Sequence, residues 1–201
     1  MTKVISLLGA TGSIGRQTLQ VARELGLGVA ALTANRQVDL LEQQVREFRP
    51  ELAVLYDCDA ARVLRERLRD LPEVRVAEGP EGLLEAAQLP QADTVVTAVM
   101  GSVGLEPTLA AIAQKKRIAL ANKETLVCAG ELVMAEAARC GAEIVPVDSE
   151  HSAIFQSLQG CRDEKEVRRL ILTCSGGPFF GRTHEELEQV RTEDALKHPN
   201  W

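Results

Sequence analysis

Short runs of apolar residues alternate along the chain with longer segments in which apolar positions recur every three or four residues. The short runs predict buried strands, and the longer segments predict amphipathic helices. One predicted helix is Val38–Phe48, in which Val38, Leu41, Val45 and Phe48 fall on one face. The strands that this pattern predicts are Val4–Leu8, Val29–Thr33, Leu52–Tyr56, Val74–Ala77, Thr94–Val99, Arg117–Ala121 and Glu143–Val147.

This alternation of strands and helices is typical of a parallel sheet flanked by helices. We therefore predict an α/β fold, a Rossmann-like and mostly parallel sheet with helices on both faces, followed by the start of an α+β domain. The pattern changes after Val147, where a helix at 150–158, a strand at Arg169–Thr173 and a short helix at 185–190 are predicted. The predicted domain boundary separates residues 1–147 from residues 148–201.

Composition and charge exclude several classes of protein. A chain of 201 residues is long enough for one domain with part of a second, and 45% hydrophobic with 26% charged residues is typical of a globular fold. The formal charge of -6 and the 3% of aromatic residues argue against a nucleic-acid partner. The five scattered cysteines form no CxxC pair, and we find no signal peptide and no apolar run of about 18 residues. We expect a cytoplasmic protein without membrane contact.

The segment LLGATGSIGRQTLQVA follows the first predicted strand and opens the first predicted helix. Its Gly9, Gly12 and Gly15 would let a diphosphate approach the free backbone N–H groups at the helix N-terminus. The hydroxyls of Thr11 and Ser13 are further donors to phosphate oxygens. The GxxGxxG spacing alone is a weak signal, because a tight turn from strand to helix uses the same glycines. The location between strand and helix favours nucleotide binding.

The second predicted strand ends in ALTANRQ, without the acidic residue that holds the ribose 2′-hydroxyl in NAD-binding proteins. Arg36 would instead pair with a 2′-phosphate through its planar guanidinium, with Asn35 as a neutral donor beside it. The simplest role of Asp39 is at the N-terminus of the next helix. An exposed arginine with no role in binding is the alternative for Arg36. The pattern favours NADPH as the cofactor.

The segment VPVDSEHSAIFQ places Asp148 and Glu150 two residues apart at a strand end. If the strand geometry persists, both carboxylates lie on one side. Two hard oxygen ligands suit Mg²⁺ or Mn²⁺ better than Zn²⁺. Acidic residues are also common at helix starts because they interact favourably with the helix dipole, so the spacing leaves both interpretations open. We expect His151 to be a polar residue at the helix start rather than a ligand.

Six motifs give the chain its resemblance to a known family, the 1-deoxy-D-xylulose 5-phosphate reductoisomerases. They are GATGSIG, MGSVGLEPTLAAI, ALANKETLVCAG, VPVDSEHSAIFQ, LTCSGGPF and KHPNW, and they occur in the order that this family shows. The resemblance implies an enzyme that uses NADPH and Mg²⁺ or Mn²⁺. Its reaction would isomerise and reduce 1-deoxy-D-xylulose 5-phosphate to 2-C-methyl-D-erythritol 4-phosphate, a step of non-mevalonate isoprenoid biosynthesis. It also implies a homodimer at full length.

The same resemblance implies roles for individual residues. Asp148 and Glu150 match acids that hold the metal, which polarises the substrate's oxygens. Catalytic roles are implied for Lys123, Glu150 and His198. Substrate contacts are implied for Ser149, Glu150, Ser175, His198 and Trp201, the last two on a mobile flap. The cofactor contacts expected from the motifs and the glycine loop are Gly9, Thr11, Gly12, Ser13, Ile14, Asn35, Arg36, Asn122, Lys123 and Glu124. A solvated turn lysine is the alternative for Lys123.

The family continues beyond the last motif with a third metal-binding glutamate, further phosphate contacts and a helical domain. We therefore expect residues 148–201 to be the first part of the catalytic domain, and the 201-residue chain to be truncated and incomplete for catalysis. A naturally short protein remains open, as does a non-catalytic module that binds NADPH or dimerises. A different NADP-linked dehydrogenase would need a reactive cysteine, and Cys174 has no evident histidine base.

Overall fold

The computed structural model describes residues 3–173 and 177–197. The chain divides into two compact units, residues 1–148 and residues 149–201. Within the described ranges, no helix combines the length and the apolar character needed to cross a lipid bilayer.

The first unit is built on a single parallel sheet. Its strands are β1 (Val4–Leu8), β2 (Gly28–Ala34), β3 (Leu52–Leu55), β4 (Arg75–Glu78), β5 (Thr94–Thr97), β6 (Arg117–Leu120) and β7 (Ile144–Pro146). They lie in the order β4-β3-β2-β1-β5-β6-β7, and every neighbouring pair is parallel. The predicted Rossmann-like α/β sheet is confirmed, and the ends of the seven predicted strands move by only one or two residues.

Helices cover both faces of the sheet because its inner strands have buried residues on both sides. The helices are α1 (Ser13–Leu25), α2 (Val38–Phe48), α3 (Cys58–Arg67), α4 (Gly79–Gln88), α5 (Leu105–Ala113) and α6 (Glu124–Cys140). Successive strand residues point to opposite faces, so Leu7 packs in the cluster that contains residues of α1, α2 and α3. Its neighbour Leu8 packs in the cluster that contains residues of α4, α5 and α6. The two apolar clusters hold the sheet between two helical layers.

The order of the strands creates a crevice at the carboxyl edge of the sheet. Strand β1 lies between β2 and β5, so the connections that follow β1 and β5 leave in opposite directions along the sheet. Ligands of open α/β sheets bind at such a switch point, outside the carboxyl ends of the strands. The glycine loop follows β1, and a 3₁₀ helix (Gly101–Gly104) follows β5. The glycine loop and this 3₁₀ helix, which both belong to sequence motifs, therefore lie at this edge.

The second unit contains helices and turns in its described residues. They are α7 (Ser149–Leu158), α8 (His184–Leu187), α9 (Thr192–Ala195) and the 3₁₀ helices Glu164–Glu166 and Gly177–Phe179. The predicted strand Arg169–Thr173 is wrong, because this segment has no regular structure. Leu170, Ile171 and Leu172 are exposed. A strand is stabilised by hydrogen bonds to a neighbouring strand, and the described part of this unit contains none with which it could pair.

A buried lysine ties the connection between α4 and β5 to the end of the sheet. Lys116 is 6% exposed, and its ammonium donates hydrogen bonds to the carbonyl oxygen of Leu89 and, at 2.5 Å, to that of Ala92. Burial lowers the pKa of Lys116 from its ordinary value, and the carboxylate of Asp93 acts in the opposite direction. The ammonium stays in place because the two carbonyl oxygens replace the water that it loses.

Replacing this ammonium should destabilise the first unit. Lys116→Met keeps the apolar stem but leaves the carbonyl oxygens of Leu89 and Ala92 without their buried donor, which costs about 1 to 3 kcal/mol. We expect the melting temperature, measured by circular dichroism, to fall by roughly 3 to 10 °C. The exposed neighbour Lys115 is the matched control, because Lys115→Met removes a charge of the same kind without breaking a buried hydrogen bond. Equal melting temperatures for both variants would contradict the structural role of Lys116.

Candidate functional site

Hydrogen bonds to the end of β2 fix the position of the glycine loop between β1 and α1. Thr33 at the end of β2 accepts hydrogen bonds through its carbonyl oxygen from the N–H groups of Gly9, at 3.2 Å, and Ala10, at 2.7 Å. Its side-chain hydroxyl also accepts from Gly9 N–H, at 3.0 Å. On the other side of the loop, the Gln44 amide of α2 donates to the Ala10 carbonyl oxygen at 3.0 Å. These buried contacts fix the loop before any ligand arrives.

Two of the three glycines are required by close packing of the backbone. Gly9 has a φ of 94°, and a Cβ atom there would lie 2.5 Å from the carbonyl oxygen of Ala98, which follows β5. A Cβ atom at Gly15 would lie 2.1 Å from the carbonyl oxygen of Gly9. Gly12 is different, because its Cβ atom would make an ordinary contact at 3.6 Å. Gly9 and Gly15 therefore serve the fold, whereas Gly12 leaves open the surface above it.

The N-terminus of α1 is open toward the crevice. Gly12, Ser13 and Ile14 are exposed and Thr11 is half-buried. Among the described residues no side chain caps this helix, and its first turn carries no acidic residue. The backbone N–H groups and the positive end of the helix dipole therefore face outward, an arrangement that binds phosphate. The glycine loop, the open helix end and the room above Gly12 fit the diphosphate of a dinucleotide.

The loop after β2 supplies an arginine beside an open cavity. Asn35 and Arg36 are exposed, and Arg36 makes no ion pair with any residue in the described ranges. The cavity measures about 420 Å³, and its walls include Arg36, Asp39 and Arg67. Asp39 lies in the first turn of α2 and is paired with Arg67 at 2.5 Å. The hydrogen bond to Asp39, followed by that to Glu42, raises the pKa of Arg67.

The segments after β5 and β6 are joined through one buried amide. Asn122 is 1% exposed, and its Nδ2 donates to the carbonyl oxygens of Val99, at 2.8 Å, and Gly101, at 3.0 Å. Its Oδ1 accepts from the Thr125 N–H at 3.2 Å and from the Thr125 hydroxyl. Glu124, which opens α6, lies 3.1 Å from Nδ2 through its carboxylate. The Asn122 side chain thus faces inward, and a contact from it to a cofactor stays a prediction.

The lysine and one acid of the expected site are ion-paired. Lys123 Nζ lies 3.2 Å from the carboxylate of Asp148, and the Lys123 side chain is 57% exposed. The expectation that Asp148 and Glu150 share one side of a strand is wrong, because β7 ends at Pro146 and α7 begins at Ser149. The last backbone hydrogen bond of this strand to β6 is donated by the Val147 N–H to the Leu120 carbonyl oxygen, and the helix begins two residues later. Glu150 lies in the first turn of α7, where it accepts a hydrogen bond from Ser149 at 2.6 Å.

The described residues do not assemble a metal site. No group of three or more histidine, cysteine, aspartate or glutamate side chains in the described ranges is placed to hold a metal ion. His151 is exposed in the first turn of α7. Three expected contact residues, Ser175, His198 and Trp201, lie outside the described residues.

Sequence reasoning missed two residues that shape the glycine loop, Thr33 and Gln44. Both are buried polar side chains, at 1% and 6% exposure. Gln44 lies on the inward face of α2 next to Leu41 and Val45, where an apolar residue is the usual choice. A polar residue on an apolar helix face was the signal that could have identified Gln44. Thr33 gave no such signal, because threonine is common in strands.

Family models match the two parts of the chain. The model for 1-deoxy-D-xylulose 5-phosphate reductoisomerase matches residues 5–130, and the model for the 1-deoxy-D-xylulose 5-phosphate reductoisomerase C-terminal domain matches residues 144–201. The 1-deoxy-D-xylulose 5-phosphate reductoisomerase of Acetivibrio thermocellus is 56% identical over 201 residues. The alignment covers all of this chain and 52% of that protein. The chain thus spans about half the length of this relative.

Solved structures that match this fold include two reductoisomerases. One is a 1-deoxy-D-xylulose 5-phosphate reductoisomerase from Zymomonas mobilis in complex with NADPH, with a TM-score of 0.81 and 42% identity over 96% of this chain and 50% of that one. Another is a DOX-P reductoisomerase in complex with NADPH, fosmidomycin and magnesium. It has a TM-score of 0.80 and 38% identity over 99% of this chain and 52% of that one.

The different roles of the glycines predict different effects of adding one methyl group. Gly15→Ala would force a Cβ atom to 2.1 Å from the Gly9 carbonyl oxygen, so the loop must move. We expect a loss of about 1 to 3 kcal/mol or more in the free energy of unfolding, measured by urea denaturation. Gly12→Ala is the matched control, and we expect it to change this free energy by less than about 1 kcal/mol. Similar losses in both variants would show that the two positions are not distinguished by packing.

Proposed function

The chain belongs to the 1-deoxy-D-xylulose 5-phosphate reductoisomerase family, and from this membership we propose that it binds NADPH at the carboxyl edge of its sheet. We further propose that it takes part in the metal-dependent isomerisation and NADPH-dependent reduction of 1-deoxy-D-xylulose 5-phosphate to 2-C-methyl-D-erythritol 4-phosphate. The observation that carries the cofactor proposal is the N-terminus of α1, which no side chain of the described residues caps, above a loop fixed by Thr33. A diphosphate bound there would accept hydrogen bonds from the backbone N–H groups of the helix start, as a capping side chain does in other helices.

The adenosine end of the cofactor is proposed to lie beside the loop after β2. The guanidinium of Arg36 would bind the 2′-phosphate, with Asn35 as a second donor. Asp39 would repel that phosphate if its charge were uncompensated, but Arg67 is paired with it at 2.5 Å. The proposal is supported by the exposure of Arg36 and the cavity at its side. The absence of an acid at the end of β2 removes the group that favours NADH.

With the adenosine after β2 and the diphosphate above α1, the nicotinamide would extend toward β5 and β6. The bound cofactor supplies the hydride for the reduction. Lys123 begins the turn into α6 at this end, and its ammonium is proposed to favour negative charge that develops on a substrate oxygen. Asp148 holds that ammonium at 3.2 Å. Glu124 is proposed to contact the ribose next to the nicotinamide.

The substrate and metal contacts are proposed on the motifs alone. Asp148 and Glu150 are the proposed metal ligands, and the support is the DSEH segment together with the magnesium present in a solved relative. The proposed substrate contacts are Ser149, Glu150, Ser175, His198 and Trp201. A cytoplasmic location and a homodimer are proposed on the cysteine pattern and on the resemblance, respectively.

Cofactor selectivity tests the proposed role of Arg36. Losing a guanidinium–phosphate pair costs roughly 1.5 to 3 kcal/mol, so Arg36→Ala should weaken NADPH binding about tenfold or more and leave NADH binding nearly unchanged. Isothermal titration with each cofactor measures both affinities. Arg139→Ala at the end of α6 is the control, because it removes an exposed arginine whose ion pair with Glu136 belongs to the same helix. Equal losses for NADPH and NADH would show that Arg36 is structural.

The reaction itself is tested by following NADPH absorbance with 1-deoxy-D-xylulose 5-phosphate and Mn²⁺ present. In a protein that spans the full length of the family, Asp148→Asn and Glu150→Gln should abolish consumption while NADPH still binds, because metal ligands are needed for the reaction and not for the cofactor. Near-normal turnover in both variants would contradict the metal assignment. NADPH binding without metal-dependent consumption in the unsubstituted protein of full length would favour a cofactor-binding module.

A further inference from the structure

We propose that the side-chain amide of Asn122 is a positioning group for the nicotinamide end of the cofactor crevice. It would act by tying the segment after β5 to the turn after β6. This inference rests on the NADPH site proposed above. It concerns how the protein holds the two segments in place and requires no contact between the Asn122 side chain and the cofactor.

The buried side-chain amide of Asn122 both donates and accepts hydrogen bonds. Nδ2 donates to the carbonyl oxygens of Val99, at 2.8 Å, and Gly101, at 3.0 Å, both in the segment after β5. Oδ1 accepts from the N–H and the hydroxyl of Thr125, in the first turn of α6. The backbone N–H of Asn122 donates to the Thr97 carbonyl oxygen at 2.9 Å, which anchors the residue to the end of β5. The side chain therefore joins the segment after β5 to the start of α6, and the backbone of the same residue is bonded to the end of β5.

The 3₁₀ helix that follows β5 closes directly over this amide. A Cβ atom at Gly104 would lie 2.8 Å from Asn122 Oδ1 and 2.9 Å from a methyl group of Val99. The Gly104 carbonyl oxygen accepts a hydrogen bond from the buried Thr108 hydroxyl at 2.6 Å. Residue 104 therefore has no room for a side chain, and the segment sits in a single position as long as the amide is present.

Only an amide of this size makes these contacts. The carbonyl oxygens of Val99 and Gly101 need a donor, and the N–H of Thr125 needs an acceptor. An aspartate at this position has the same shape but offers two acceptors, so a carboxylate would face two carbonyl oxygens. Such buried groups without partners disfavour the closed arrangement. The segment after β5 would then move away from the turn after β6.

The two segments joined by Asn122 border the part of the crevice that the nicotinamide would reach. Lys123 and Glu124 follow Asn122 directly, and Met100 at the tip of the other segment is 88% exposed. Arg36 lies after β2, which β1 separates from this end, whereas the glycine loop packs against Ala98 at the start of the segment after β5. Loosening the Asn122 contacts should therefore weaken binding of the nicotinamide half and leave the adenosine half unaffected.

Two ligands separate this role from a general effect on folding. Asn122→Asp in the 201-residue chain should weaken NADPH binding roughly tenfold in isothermal titration, whereas binding of adenosine 2′,5′-bisphosphate, which lacks the nicotinamide half, should change less than about twofold. The increase in NADPH fluorescence on binding, which reports the surroundings of the nicotinamide, should also fall. Gln91→Glu is the matched control, since it makes the same amide-to-acid change at an exposed position.

Thr125→Val provides a milder second variant, because it removes only the hydroxyl that donates to Asn122 Oδ1. It should weaken NADPH binding by a smaller factor than Asn122→Asp does and leave binding of adenosine 2′,5′-bisphosphate nearly unchanged. If Asn122→Asp does not fold, this variant decides the question. Equal weakening for both ligands would overturn the proposal in favour of a purely structural residue. Unchanged NADPH binding in both variants would also overturn it. Failure of the wild-type chain to bind either ligand would instead contradict the proposed cofactor site itself.

Discussion

The passage of the chain from β1 into α1 runs so close to its neighbours that a side chain has no room at two of its positions. A Cβ atom at Gly9 would collide with the backbone after β5, and one at Gly15 would collide with the loop itself. This contact brings the N-terminus of α1 down onto the carboxyl edge of the sheet, next to the switch point between β1 and β5. The contacts of Thr33 and Gln44 then keep the loop in this position. The phosphate-binding geometry follows from these packing limits.

The charges around the crevice follow the same arrangement. In the part of the chain that the structure describes, no side chain caps the start of α1 and Arg36 forms no ion pair, while Asp39, which lines the same cavity as Arg36, is paired with Arg67. At the other end of the crevice, Lys123 is held by Asp148. The start of α1 and Arg36 therefore offer positive groups at one end of the crevice, although the chain as a whole has a formal charge of -6. A local field of this sign suits a ligand that carries several phosphate groups.

Much of the first unit could be predicted from the sequence because its strands are apolar on both faces and its helices have a clear period. Val38–Phe48 was predicted with the bounds that the structure shows. The strand at Arg169–Thr173 was wrong because a β-branched apolar run does not reveal whether a pairing partner exists. The glycine loop and Arg36 were identified from their place between strand and helix. The orientation of Asn122 could not be predicted, since an amide next to a lysine gives no sign of which way it faces.

A dinucleotide that binds across the switch point of the sheet, as proposed, must shield the backbone around it from solvent. Hydrogen–deuterium exchange of the chain with and without NADPH measures this shielding. We expect slower exchange on binding at the backbone amides of residues 12–15, at residues 35–38 and at residues 99–104, with no change in the connection at 89–92 on the opposite edge. Unchanged exchange at residues 12–15, or protection confined to another part of the chain, would contradict it.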